Sequence, residues 1–173
     1  MSLQEVTVRR LIEDDWADLR AVRLAMLLDA PRAYGSTFAR ELDHPESLWR
    51  ERAKGHAWLA YGRLGDVVLP VGSVTLWHGP DQLPGECWLV GMWVAAHARG
   101  GGVADRLVDA LVTEARDLGL TRVLLQVAED NPRAAGAYRR LGFVETGERG
   151  PSVAYPEVCE AEMELRLDGS AGG

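Results

Sequence analysis

Two short segments of this chain hold residue types whose spacing suits chemistry. The first runs Val94-Ala95-Ala96-His97-Ala98-Arg99-Gly100-Gly101-Gly102-Val103-Ala104. Val103, Leu107, Leu111, Ala115 and Leu118 then recur at helical spacing, so the turn opens an amphipathic helix. The first turn of a helix leaves backbone N–H groups unpaired, and the helix dipole favours an anion there. Three consecutive glycines remove the Cβ atoms that would keep a bulky phosphate from those donors, and Arg99 adds a forked cation. The turn reads as a cradle for a phosphate-bearing ligand; a merely flexible turn is the plainer alternative. A Walker loop needs Lys and Ser or Thr after its last Gly, where this chain has Val103-Ala104. A dinucleotide fingerprint would need Gly where Asp105 stands, and an acid ending a strand where the chain is still helical near Asp117.

The second segment is Asn131-Pro132-Arg133-Ala134-Ala135-Gly136-Ala137-Tyr138-Arg139-Arg140-Leu141-Gly142-Phe143. Asn131 suits a helix cap, Pro132 a first helical position, and Gly142 a left-handed helix end. Tyr138 shares a helical face with Ala134 and Leu141, which serves core packing as readily as chemistry.

Arg99-x-x-Gly102-x-Ala104 between a strand and a helix, followed by Asn131, Tyr138 and Leu141-Gly142-Phe143, resembles the GCN5-related N-acetyltransferase (GNAT) superfamily. The resemblance is best over about Cys87 to Gly147. It implies that the amides of Gly100, Gly101, Gly102, Val103 and Ala104, with Arg99, hold the pyrophosphate of acetyl-CoA as cosubstrate. It also implies that the strand ending at Met92, Trp93 and Val94 bonds the pantetheine arm, with Asn131 as a further contact. Tyr138 matches the family's general acid. A phenol of pKa about 10 can donate to a departing thiolate whose conjugate acid is near ~8.5. Glu86 is the candidate general base, because some family members use a Glu on this strand; a solvated strand-end charge is the other reading. A strand N–H near Trp93 would stabilise the oxyanion.

The resemblance implies acetyl transfer to a primary amine of a small molecule or peptide. Direct attack in a ternary complex fits, because neither Cys87 nor Cys159 sits beside an evident His partner. A non-catalytic acyl-CoA binding or sensor domain is the alternative. The acceptor would be shaped by the Ala30–Phe38, His78–Gly85 and Arg149–Pro156 loops. Ala30-Pro31-x-Ala33-Tyr34-Gly35-Ser36 is similar to a segment of many bacterial members of unassigned substrate, and homodimers are a family habit.

The positioning elements can be sketched from periodicity. A strand is expected over Val6–Arg10, then a helix capped at Asp14 or Asp15 and running to about Leu28. A short helix follows Pro45, and His56–Leu64 with Val67–Trp77 form a hairpin around Gly65-Asp66. Glu86–Val94 is apolar on both faces, as a strand covered on both sides should be. A helix near Gly102–Leu118, a strand near Arg122–Val127, a helix near Pro132–Leu141 and strands near Phe143–Gly147 and Glu157–Leu167 complete the chain. The fold class is α/β (α+β layered): a single GNAT-like domain with a mixed, mostly antiparallel sheet of about seven strands and about four helices. The sheet would be splayed between the fourth and fifth strands. The domain would span residues 1–168, with a disordered tail at 169–173.

The chain has 173 residues with 47% hydrophobic content, enough for one cored domain. A formal net charge of -7 disfavours a nucleic-acid surface, which needs clustered Lys and Arg. It has no apolar run long enough for a bilayer and no secretory stretch in MSLQEVTVRR, so a cytoplasmic protein without membrane contact is expected. His44, His56, His78 and His97 show no metal spacing, so no metal is expected. Cys87 and Cys159 are expected as free, buried thiols, and Trp49, Trp58, Trp77, Trp88 and Trp93 as core or pocket walls.

Overall fold

A computed structural model describes residues 4–168; the expected tail at 169–173 lies outside the described residues. One seven-stranded sheet runs in the order β1-β2-β3-β4-β5-β7-β6. The strands are β1 (Gln4–Arg10), β2 (Ala57–Leu64), β3 (Val67–Trp77), β4 (Glu86–Val94), β5 (Arg122–Ala128), β6 (Val144–Pro151) and β7 (Cys159–Arg166). β4 and β5 pair in parallel, and every other neighbouring pair is antiparallel. The helices are α1 (Trp16–Asp29), α2 (Phe38–Leu42), α3 (Glu46–Lys54), α4 (Val103–Asp117) and α5 (Pro132–Arg140). The fifth helix, α2, follows the expected Ala30–Phe38 loop, where no element was expected. It is five residues long, and the Thr37 hydroxyl caps it by accepting from the Arg40 N–H at 3.3 Å. β6 likewise continues to Pro151, into the expected Arg149–Pro156 loop. Among the described residues, no helix is long and apolar enough to cross a membrane.

Period-two alternation divides β2 between two layers. Trp58 and Ala60 join the main core with Val71, Leu76, Cys87, Val123 and the α4 residues Leu107 and Leu111. Ala57 and Leu59 turn the other way, toward Val22 of α1 and Ala53 of α3. α4 therefore covers one sheet face, and α1 with α3 cover the other over the first strands. α4 sits very close: a Cβ on Gly72 would lie 3.0 Å from Leu107 Cδ1 and 2.9 Å from the Trp93 carbonyl oxygen. Val108 and Val112 widen its buried stripe, whereas Leu118, expected on that face, is exposed past the helix end.

β4 was expected to be covered on both faces. Cys87 and Leu89 are buried in the main core, but Val90 is 39% exposed on the opposite face. α1 meets β4 further along, where Asp29 accepts from Trp93 Nε1 at 2.9 Å, and leaves Val90 open. β4 and β5 pair only from Glu86↔Arg122 to Trp88↔Leu124. Gly85 pins this closed end, its carbonyl accepting from the Thr121 N–H at 2.8 Å and the Arg122 N–H at 3.1 Å. Beyond it, the β3–β4 register jumps between Ser73↔Trp93 and Thr75↔Val90, a bulge at Gly91, whose φ is +60°. An extra residue bends and over-twists its strand, and β4 leaves β5 here.

Candidate active site

The parting of β4 and β5 opens a cleft of about 1520 Å³. On one side the chain leaves β4 through a short 3-10 turn at Ala96–Ala98 and enters α4. Gly100 and Gly102 have φ of +80° and +74°, in the left-handed region that only glycine adopts without strain. Gly102 is the α4 N-cap, and no side chain caps the helix. The first amide to find a helix carbonyl is that of Arg106, on Gly102 O at 3.2 Å. The amides before it are left for an external acceptor. A Cβ on Gly100 would meet no atom within 4 Å, so that surface is open. The turn fits a diphosphate: bare backbone donors at a helix N-terminus with no side chain in their way.

On the other side stands α5. The Asn131 side chain caps it, accepting from the Ala134 N–H at 3.1 Å. Tyr138 packs edge-on against Phe143 with ring centroids 5.7 Å apart. Its hydroxyl lines the cleft and makes no hydrogen bond among the described residues. Burial pushes this phenol well above its usual pKa, and Tyr34 adds to the shift. The Tyr138 proton is therefore held firmly and offered to no protein acceptor.

The structure brings Met92, Trp93, Val94, Arg99, Gly100, Gly102, Val103, Ala104, Asn131 and Tyr138 to the walls of this one cleft. Gly101 lies in the turn but does not line it. Glu86 does not reach it either. It stands at the closed end of the β4–β5 pair, bonded to Arg122 Nη1 at 2.6 Å. At ~3.3 Å per residue, that is roughly 20 Å along the strand from Trp93. Arg99 also departs from expectation. Its Nε donates to Val94 O at 2.9 Å and its Nη2 to Asp29 Oδ2 at 2.7 Å, so its fork braces the turn from behind. The Trp93 backbone faces β3, with its carbonyl against Gly72, so its N–H is turned away from the cleft. Met92 and Val94 present their backbone groups to the gap instead, because N–H and C=O of one strand residue share an edge. Their carbonyls already accept from Tyr34 Oη at 3.1 Å and from Arg99.

Sequence reasoning missed three contributors. Asp29, at the end of α1, accepts from both Arg99 and Trp93 Nε1, the latter at 2.9 Å. Tyr34 reaches the β4 edge from the α1–α2 loop, its pKa pushed up to about 12 by burial. Glu41 is buried in the cleft wall between Arg23, at 2.8 Å, and Arg52, at 2.8 Å. Burial opposes its charge, but the two guanidiniums prevail and hold the carboxyl down to about 2. Only the Ala-Pro-x-Ala-Tyr-Gly-Ser pattern drew attention to any of these positions.

Neither cysteine lines the cleft. Burial pushes the Cys87 thiol up to about 11. Cys159 is exposed rather than buried, because it opens β7 beyond the end of the core, and a hydrogen bond with Glu129 raises its pKa. Neither is an activated thiolate.

A model of the acetyltransferase (GNAT) family matches residues 20–143. Among curated relatives, the chain is similar to the IAA acetyltransferase of Azospirillum brasilense, 27% identical over 126 residues, which are 73% of this chain and 79% of that protein. It is 46% identical over 59 residues to the mycothiol acetyltransferase of Parafrankia sp. (strain EAN1pec), covering 34% of this chain and only 18% of that longer protein. Among solved structures, yncA of Salmonella typhimurium, determined with its cofactor acetyl-CoA, superposes with a TM-score of 0.73 at 19% identity, covering 98% of each chain. At that identity the likeness is one of fold. The cleft, the uncapped glycine turn and the family match over most of the sequence agree: this chain belongs to the GNAT family of acetyl-CoA-dependent acetyltransferases.

Proposed function

We propose that the chain moves the acetyl group of acetyl-CoA to a primary amine of a small molecule or peptide, by direct attack within a ternary complex. One observation carries the reading. The unpartnered Tyr138 hydroxyl and the uncapped amides of α4 face the same cleft from opposite sides of the β4–β5 gap. Acetyl-CoA supplies an acetyl thioester, an activated acyl group with a thiolate leaving group. The amides of Gly102, Val103 and Ala104 hold its diphosphate. The N–H groups of Met92 and Val94 align the arm and polarise the acyl oxygen. Tyr138 gives its proton to sulfur as the C–S bond breaks and the C–N bond forms. It regains a proton from water in the open cleft, which also takes the one released by the amine. The inert states of Cys87 and Cys159 support direct transfer over an acyl-enzyme.

Calorimetry with CoA on the ligand-free chain, followed by a thiol-release assay with acetyl-CoA over polyamines, aminoglycosides, amino acids and N-terminal peptides, tests this reading. Saturable binding and amine-dependent thiol release are expected. No CoA binding at millimolar concentration would end the proposal.

A further inference from the structure

The diphosphate of CoA brings negative charge to a chain whose own net charge is -7, so its cradle needs a cation. Arg99 is occupied as a brace between Val94 and Asp29, and Arg23 and Arg52 are held by Glu41. Arg40 and Arg133 also line the cleft, but neither side chain bonds the glycine turn among the described residues. Arg140 is tied to it. Its Nη1 donates to Asp105 Oδ1 at 2.7 Å, and Asp105 stands in the first turn of α4. A Cβ on Gly102 would lie 3.9 Å from Asp105 Oδ2, so this carboxylate leans back toward the N-cap.

Asp105 and a diphosphate compete for one place. A carboxylate in the first turn of a helix is itself drawn to the helix dipole, and it repels an incoming phosphate. Yet no side chain caps α4; Asp105 is bonded to Arg140 instead. Arg140 ends α5, two residues beyond Tyr138, so the pair spans the cleft from the cradle to the opposite wall. The Arg140 side chain is 60% exposed, and its other donors bond nothing among the described residues. A guanidinium forks onto phosphate oxygens as readily as onto a carboxylate.

We infer that Arg140 is the counter-charge of the CoA diphosphate, held beside the glycine turn by Asp105 and turned onto the phosphates when CoA enters. Arg140 touches no reacting atom; it is a binding residue, and Asp105 is the residue that positions it. Because Asp105 is itself negative, it also holds CoA affinity below what the cradle and Arg140 alone would give. The inference rests on the reading of the turn as a diphosphate cradle. Absence of CoA binding by the parent chain would sink that reading, whereas undiminished binding in an Arg140 variant would sink this one alone.

Calorimetry with CoA and with dephospho-CoA, which lacks the 3′-phosphate but keeps the diphosphate, tests the assignment. Arg140→Gln should weaken both ligands alike, by about tenfold or more, and Arg140→Lys, which keeps the charge, should recover most of the affinity. Asp105→Asn should do the opposite and tighten CoA by about threefold or more, because it removes a like charge and releases Arg140. In the Asp105→Asn background the loss from Arg140→Gln should shrink, since no uncompensated carboxylate then faces the phosphates. Melting curves separate a purely structural role: a pair that only ties α5 to α4 would lower Tm and CoA affinity in both single variants. That result, or a loss confined to CoA with dephospho-CoA unaffected, would overturn the assignment.

Discussion

The Tyr34 hydroxyl donates to the Met92 carbonyl at 3.1 Å, joining the α1–α2 loop to the edge of β4 across 58 residues of sequence. The Arg23 guanidinium lies over the Tyr34 ring, 5.5 Å from its centroid, and Glu41 holds Arg23 in turn. The loop over the cleft is thus anchored to the strand edge that would align the acyl donor.

Tyr34→Phe removes that anchor and keeps the ring. A net hydrogen bond contributes about 1 kcal/mol, so a chain of this size should melt roughly 2–4 °C lower. Because the anchor also fixes the strand edge, KM for acetyl-CoA should rise more than kcat falls. A melting curve and a thiol-release titration check both, and an unchanged KM would reduce Tyr34 to a packing residue.

Tyr138→Phe should lower kcat by about a hundredfold or more, the usual contribution of a positioned acid, with CoA affinity nearly unchanged. The pH profile offers a separate test. Burial raises the Tyr138 pKa, so the donating, protonated form persists above the ordinary phenol value of about 10. Activity of the intact chain should show no alkaline decline from this group below about pH 10. Equal turnover in the variant would remove Tyr138 from the mechanism.

The glycine turn can be dissected position by position. Gly102 has φ +74° at the α4 N-cap, so Gly102→Ala incurs backbone strain of about 1–2 kcal/mol and sets a methyl beside the open amides. CoA affinity should fall at least tenfold. Gly101 has no positive φ and does not line the cleft; a Cβ there would sit 3.4 Å from Ala98 O. Gly101→Ala should bind CoA within a fewfold of the parent. Calorimetry on the two variants checks the contrast, and equal losses would mean that the cradle depends on the glycines for flexibility alone.

Much of this site was legible in the sequence because its parts are local. The glycine turn, the Asn131 cap and the Tyr138 helix face each follow from neighbours a few residues away, and the structure gathers them on one cleft. What sequence periodicity could not show was long-range pairing. Asp29 meets Arg99 from 70 residues away, which turned an expected phosphate cation into a brace. Glu86 lies on the expected strand, but the parallel pairing places it with Arg122 at the closed end. The Gly91 bulge shifts which amides of β4 face the gap, and nothing in an apolar run such as Leu89 to Val94 marks a one-residue slip. The open face of β4 at Val90 was misjudged for the same reason: coverage is a property of tertiary packing.

Glu41 sets the acid limit of the fold. Its carboxyl is 1% exposed and ionised down to about 2, against an ordinary value near 4.5. A depressed folded-state pKa gives stability that is fully present above the unfolded value and is lost as pH falls toward the folded one. The contribution, about 3 kcal/mol, should therefore fade between roughly pH 4.5 and pH 2. Glu41→Gln leaves Arg23 and Arg52 facing each other in the cleft wall without their counter-charge. Removing one partner of a buried ion cluster costs about 3–5 kcal/mol. The variant should be less stable at pH 7 and lose less on acidification than the parent chain. Urea unfolding of both proteins at pH 7 and pH 3.5 measures the two differences, and parallel losses on acidification would show that Glu41 is not the group that titrates.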